Sequence, residues 1–290
     1  MDAAASEGPR PGLDRLGLWI YVVTFALLAV PTFAGLGSQV WTRETGAQGP
    51  IVLCTGAWLV WRKADDFRTL GAPGSPLVTA AMLLVSLAVY VFGRAYDFIT
   101  LEAAGLYGVG LTMTYANFGA RPMLRNWFPF LYLAFLVPPP VYVLDHLTAP
   151  LKQFVTYAAT TGLQAFGLPL SREGVTIFVA QYQLLVEDAC SGMNSIIGLT
   201  AISLFYIYLL RGSSALYSLI LVCLVIPIAI VANILRIVIL ILLTYFFGDA
   251  VAQGFLHFTA GILMFVTALS LVFALDKALS PLRRRTEKAA

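Results

Sequence analysis

Apolar residues in this chain come in long runs, and the polar residues gather in short stretches between them. A helix crossing a hydrocarbon core of about 30 Å needs roughly 20 such residues. Runs of this kind fall near residues 16–36, 45–61, 77–96, 99–118, 127–143, 190–210, 215–236 and 255–275, the second and fifth being short. The pattern predicts an all-α polytopic membrane protein with about eight transmembrane helices. Pro31, the triplet Pro138, Pro139 and Pro140, and Pro227 are expected to kink or break them. Residues 1–15 form a hydrophilic leader, and the first run lacks a small-residue cleavage site, so it reads as a retained helix. One membrane domain, 16–275, then accounts for most of the length, with 276–290 as a basic tail.

Residues 144–189 are the longest stretch outside these runs. Leu147, Leu151, Phe154, Val155 and Ala158 recur there at helical spacing, with Lys152, Gln153 and Thr156 between them, as in an amphipathic helix lying on a membrane surface. Gly167 and Pro169 end it. The stretch from Val175 to Val186, after Arg172, Glu173 and Gly174, is rich in β-branched and aromatic residues and predicts a small β-hairpin. Lipid tolerates no open sheet edge, so the hairpin must rest above the bilayer or against protein.

Composition sharpens this picture. The chain is 59% hydrophobic and 11% charged, with a mean hydropathy of +0.84. A soluble domain carries about a quarter charged residues, so water is not the solvent for most of this surface. Positive charge marks the cytoplasmic side of membrane proteins. With the amino terminus inside, thirteen basic residues (Arg10, Arg15, Arg62, Lys63, Arg68, Arg121, Arg125, Arg211, Lys277, Arg283, Arg284, Arg285 and Lys288) lie inside, against five outside (Arg43, Arg94, Lys152, Arg172 and Arg236). Residues 144–189 are then external. The net charge of +3 reflects loop anchoring and membrane lipid contact, and gives no reason to expect a nucleic acid partner.

Cys54 and Cys223 lie inside apolar runs and read as packing residues. Cys190 follows Glu187, Asp188 and Ala189 and opens the sixth run, at a helix amino terminus where backbone N–H groups stabilise a thiolate. Arg236 ends the seventh run, and His257 begins the eighth. The inferred topology brings Cys190, Arg236 and His257 to one depth on the outer side. Cysteine acyl transfer needs a thiolate nucleophile, a histidine to carry protons and a fixed cation for developing negative charge. An arginine suits the last role, because its guanidinium keeps its charge when partly desolvated. Arg236 can equally hold the thiolate or a substrate carboxylate. Ser191, Asn194 and Asn233 read as supporting residues: Asn194 lies one turn after Cys190, and Asn233 one turn before Arg236.

Blander readings exist for each. Arg236 or His257 alone is an ordinary interfacial anchor. His146, beside Asp145 on the outer side, competes with His257 as the base. Arg94, Asp97 and Glu102 surround a tight outer turn, where local ion pairing is the default and Glu102 the weaker functional candidate.

These residues lie in motifs that resemble the exosortase and archaeosortase family of polytopic membrane cysteine enzymes. The resemblance rests on Pro138-Pro139-Pro140, Pro-Leu-Lys-Gln at 150–153, Arg-Glu-Gly at 172–174, Ala-Cys-Ser-Gly at 189–192, Ala-Asn-Ile-Leu-Arg at 232–236 and Gly-Phe-Leu-His at 254–257. It implies a catalytic set of Cys190, Arg236 and His257. It also implies a bacterial inner membrane location with the site facing the periplasm. The implied partners are membrane-anchored protein substrates ending in a Pro-Glu-Pro motif, a transmembrane helix and a basic tail. Many bacterial members carry an Arg a turn after the Cys, where this chain has Asn194.

Two other classes compete. A transporter predicts charges at mid-bilayer depth and an internal repeat, and neither is visible in the sequence. A non-catalytic partner in protein or polysaccharide export would tolerate loss of the Cys190 thiol. With only two histidines and no ligand pair at helical spacing, neither a metal nor another cofactor is expected.

Overall fold

The computed structural model describes residues 15–42, 46, 48–185, 192–209, 215–248, 250–252 and the short stretches 270–271, 273–274 and 277. Helix α1 (Arg15–Leu36) runs into a π-helical turn, Gly37–Trp41. It is followed by α2 (Gly49–Arg62), α3 (Ala64–Leu70), α4 (Pro76–Ala95), α5 (Ile99–Phe118), α6 (Ala120–Arg125) and α7 (Trp127–Leu133). Then come α8 (Val141–Ala165), strands β1 (Leu170–Glu173), β2 (Thr176–Val179) and β3 (Tyr182–Leu185), and helices α9 (Gly192–Leu209) and α10 (Ala215–Phe247). The architecture is helical with one small sheet. Among the described residues, three stretches are long and apolar enough to cross a membrane by length and composition: Trp19–Trp41, Pro76–Ala95 and Ile226–Phe247. The expected eighth run, 255–275, lies almost wholly outside the described residues.

The first half is built on a close α4–α5 hairpin. A β-carbon at Gly93 would collide with the backbone of Leu101 and Glu102, and one at Gly105 with that of Tyr90. Small residues let two helices approach to backbone contact, which compensates for the missing hydrophobic drive between helices in lipid. Helix α1 covers this pair, burying Ala29, Tyr90 and Leu106 together. At the opposite end from the α4–α5 turn, Gly119 takes a φ of 71° that reverses the chain into α6. Lys63 Nζ lies 3.4 Å from Asp66 there. Desolvation works to raise the Asp66 carboxyl, but the Lys63 hydrogen bond and charge, with Asn126 and Arg125, outweigh it and hold the group below its ordinary value.

Helix α7 joins α2 to α9. The Phe128 ring stacks on Tyr208 at 4.1 Å, and the Tyr132 hydroxyl lies 2.9 Å from Thr55 Oγ1. The fifth expected run is shorter than its hydropathy implies, because α7 tightens into a 3₁₀ turn at Ala134–Leu136 and ends before the prolines. Tyr142 and Val143 belong to α8, which starts directly after Pro140. Consecutive prolines offer no amide donors, so the helix restarts in a new direction. Cys54 and Cys223 are exposed, which corrects their reading as internal packing residues. In a membrane protein the surroundings are themselves apolar, so a small apolar side chain need not turn inward.

The expected amphipathic helix is α8. Its buried face is Val155, Thr156, Ala159, Thr160 and Leu163, whereas Phe154 is 53% exposed. Gly167, with a φ of 87°, follows its end. The expected hairpin is a three-stranded antiparallel sheet of order β1-β2-β3, so the sequence reading missed its first strand. Two-residue turns join the strands, with Glu173 opposite Thr176 and Val179 opposite Tyr182. The first residue of each turn, Gly174 and Ala180, has positive φ, as tight hairpin connections require. Leu170, Ile177, Val179 and Leu184 form one core with Val155, Ala159 and Leu163 of α8 and Ile237 and Ile241 of α10.

Candidate active site

Helix α10 holds the main correction to the sequence reading. The seventh run was expected to stop at Arg236, whereas the helix continues unbroken to Phe247 and gives way at Gly248, whose φ is 85°. Arg236 therefore lies within a helix of 33 residues, about 50 Å long. Apolar residues continue after it, so nothing local stops the helix there. Its buried residues, Ala229, Ala232, Asn233, Arg236, Ile237, Leu240, Ile241 and Thr244, follow three- and four-residue spacing and form one stripe. Ile226, Val231 and Leu235 face outward.

Arg236 thus belongs to the inward face, at 2% exposure, and Asn233 lies one turn before it at 1%. Both are engaged by other groups of the protein. An anchor at a membrane boundary keeps its charged head in water, and this side chain does not. Removing a guanidinium from water costs several kcal/mol before compensation. In return, a desolvated and fixed cation acts on nearby developing charge far more strongly than one in solvent.

The neighbours of this stretch are known on three sides. Helix α10 packs on α9, on α8 and, through an aliphatic core that takes in Ile230, Ile234, Ile237 and Ile241, on the sheet. Helix α9 starts at Gly192, two residues after Cys190 in the chain. Cys190, Ser191 and His257 lie outside the described residues, as does the side chain of Asn194. Of the six expected site residues, the structure brings together Asn233 and Arg236, one turn apart on one face. His146, the competing histidine, is exposed on α8 and packs edge-on against Tyr142 at 4.3 Å. It does not share the burial of Arg236.

A second buried charge sits where α1, α4 and α5 meet. Glu102 is 4% exposed, and its Oε1 accepts hydrogen bonds from Thr32 Oγ1 at 2.8 Å and Arg94 Nη1 at 3.1 Å. Tyr90 closes the group by donating to the Leu28 carbonyl at 3.0 Å. The local Arg94–Glu102 pairing expected from the turn is present. The part played by Thr32, seventy residues away, was not visible in the sequence.

Long apolar helices, a small sheet docked on one of them and an arginine buried beside that junction define a helical membrane protein with an internal cationic site. The family model described as Transmembrane exosortase (Exosortase_EpsH) matches residues 40–274, and the chain belongs to that family. No curated protein and no solved structure matches it. Membership carries a transpeptidase- or protease-like role in the membrane in general terms.

Proposed function

We propose that the chain is a cysteine-dependent membrane protease or transpeptidase that removes C-terminal sorting signals from exported proteins. The observation that carries this reading is the burial of Arg236 on the interior stripe of α10, within the family-matched segment. The Cys190 thiolate attacks the carbonyl of the scissile peptide bond. A thioester forms as that bond breaks, and His257 gives the departing amine its proton. Water or an acceptor amine, deprotonated by the same histidine, then resolves the thioester. Arg236 supplies the fixed cation for the negative charge that builds during attack, oriented by Asn233 one turn earlier. Asn194 and Ser191 support the nucleophile from the start of α9.

The protein works in a bacterial inner membrane as one domain spanning residues 16–275, with the sheet end toward the periplasm. The charge asymmetry of the loops supports this side, and the sheet bears on the depth of α10. The most apolar window of α10 is Ile226–Phe247, yet a sheet with open edges packs on Ile237 and Ile241, and such edges do not face lipid. The crossing is therefore drawn from the earlier turns of α10, which leaves Arg236 near the outer boundary. The substrate is anchored by its own transmembrane helix beside a Pro-Glu-Pro motif, and it meets the site as it emerges.

The test is the intact mass of such a substrate, with motif, helix and basic tail, coexpressed with wild type or with Cys190→Ala. Loss of the tail with wild type alone is the expected result, and any mass added to the new terminus identifies the acceptor. Equal processing at matched membrane levels removes Cys190 as the nucleophile and leaves a non-catalytic export partner as the better reading.

A further inference from the structure

Helix α1 packs on α5 and α2 packs on α7, and a cavity of about 420 Å³ lies between these two pairs. It is long and narrow. Its lining runs from Phe25 to Leu36 on α1 and from Ala103 to Thr114 on α5, twelve residues or roughly 16 Å along each helix. Two side chains bring hydroxyls to the wall, and both are occupied: Tyr107 donates to the Phe130 carbonyl at 2.7 Å, and Thr114 to the Gly110 carbonyl at 2.9 Å. The other wall side chains are hydrocarbon or, at Met113, thioether. Water needs two to four polar partners to stay in such a space, so the cavity excludes it.

We infer that this cavity is a binding site for a single lipid acyl chain. The volume lies in the range of small-molecule sites, about 300–1,000 Å³. A transmembrane helix about 10 Å across would fill roughly 1,300 Å³ over the same length, so the anchor helix of a protein substrate does not fit. A space drawn out along two helices and walled by hydrocarbon suits a flexible chain better than a compact solute. The bilayer is the source of such chains around a membrane protein. The site is separate from the buried Arg236 and does not depend on how that residue acts.

The purified full-length protein is reconstituted in phosphatidylcholine vesicles whose lipid carries a photoactivatable diazirine midway along one acyl chain. Illumination and peptide mapping should find adducts within residues 103–114 and 130–137, as well as on the outward face of α4 around Leu84, which is 73% exposed. A β-carbon at Gly110 would meet only the Phe25 ring, at 3.8 Å, so Gly110→Leu extends into the empty space. It should lower the cavity adducts by about tenfold and leave those on α4 unchanged. Adducts confined to outward-facing positions in the wild type overturn the inference, and so do undiminished cavity adducts in Gly110→Leu. Should that variant fail to accumulate, Gly110→Val, a smaller intrusion on the same wall, must produce the same selective loss.

Discussion

Glu102 is buried where α1, α4 and α5 meet, and its carboxylate takes hydrogen bonds from side chains of the other two helices. Arg236 is equally buried, on a stripe that it shares with Asn233 between Ala232 and Leu240, beside a core of isoleucine, leucine and valine, and it too is engaged by other groups of the protein. The first charge closes a joint, and its counterion Arg94 reaches half into the surroundings. Both stand in the family-matched segment, and the second lies on the helix that packs on α9 and carries the sheet. Burial by itself therefore does not separate a structural charge from a working one. Place does, since Glu102 lies at the joint of α1, α4 and α5 and Arg236 beside the sheet on α10, and that difference is open to test.

The largest effect should come from Arg236→Ala, which is expected to slow processing of a sorting-signal substrate by about 10²–10³-fold, the usual consequence of removing one stabiliser of developing charge. A coexpression time course at matched membrane levels reads this out, and an unchanged rate would make Arg236 a second structural charge. Glu102→Ala should instead lower stability by about 1–3 kcal/mol, discounted because Arg94 is half-exposed, and leave the processing rate of the folded protein alone. Melting in detergent measures it, and Glu102→Leu combined with Arg94→Met should recover most of the loss. A Glu102 variant that stays folded but stops processing would break the contrast. Tyr132→Phe removes the bond to Thr55 between α7 and α2 and should cost about 1 kcal/mol in the same melt.

The smallest effect concerns Asp66. Its carboxyl is held below its ordinary value, so its contribution to stability is present above the unfolded value of 3.8 and is lost as pH falls through the lower folded one. Melting temperature followed from about pH 5 to about pH 3 should fall less steeply for Asp66→Asn than for the wild type.

The long runs of apolar residues made the helices legible, because lipid demands length and hydropathy above all else. The motif around Arg236 was legible too, but its place in the helix was not. A charged residue at the end of 21 mostly apolar positions looked like a membrane boundary, although ten of the eleven residues that follow, Ile237 to Phe247, are apolar or aromatic and the next glycine is Gly248. That glycine was the available signal. Strand β1 gave none beyond its turn, since three of its four residues are exposed and polar and show no alternation. The burial of Glu102 depends on Thr32 and Arg94 arriving from separate helices, and no local pattern carries that information.

One unbroken helix carries both Arg236 and the residues that grip the sheet, Ile237 and Ile241, with less than two turns between the first and the last. They tilt as one body. Helices longer than the local bilayer respond to its thickness by tilting, so a thinner or thicker membrane would rotate the arginine and the sheet through the same angle. The lipid composition of the host membrane thereby sets the angle at which the arginine and the sheet together meet the membrane surface, delivered through a single lever.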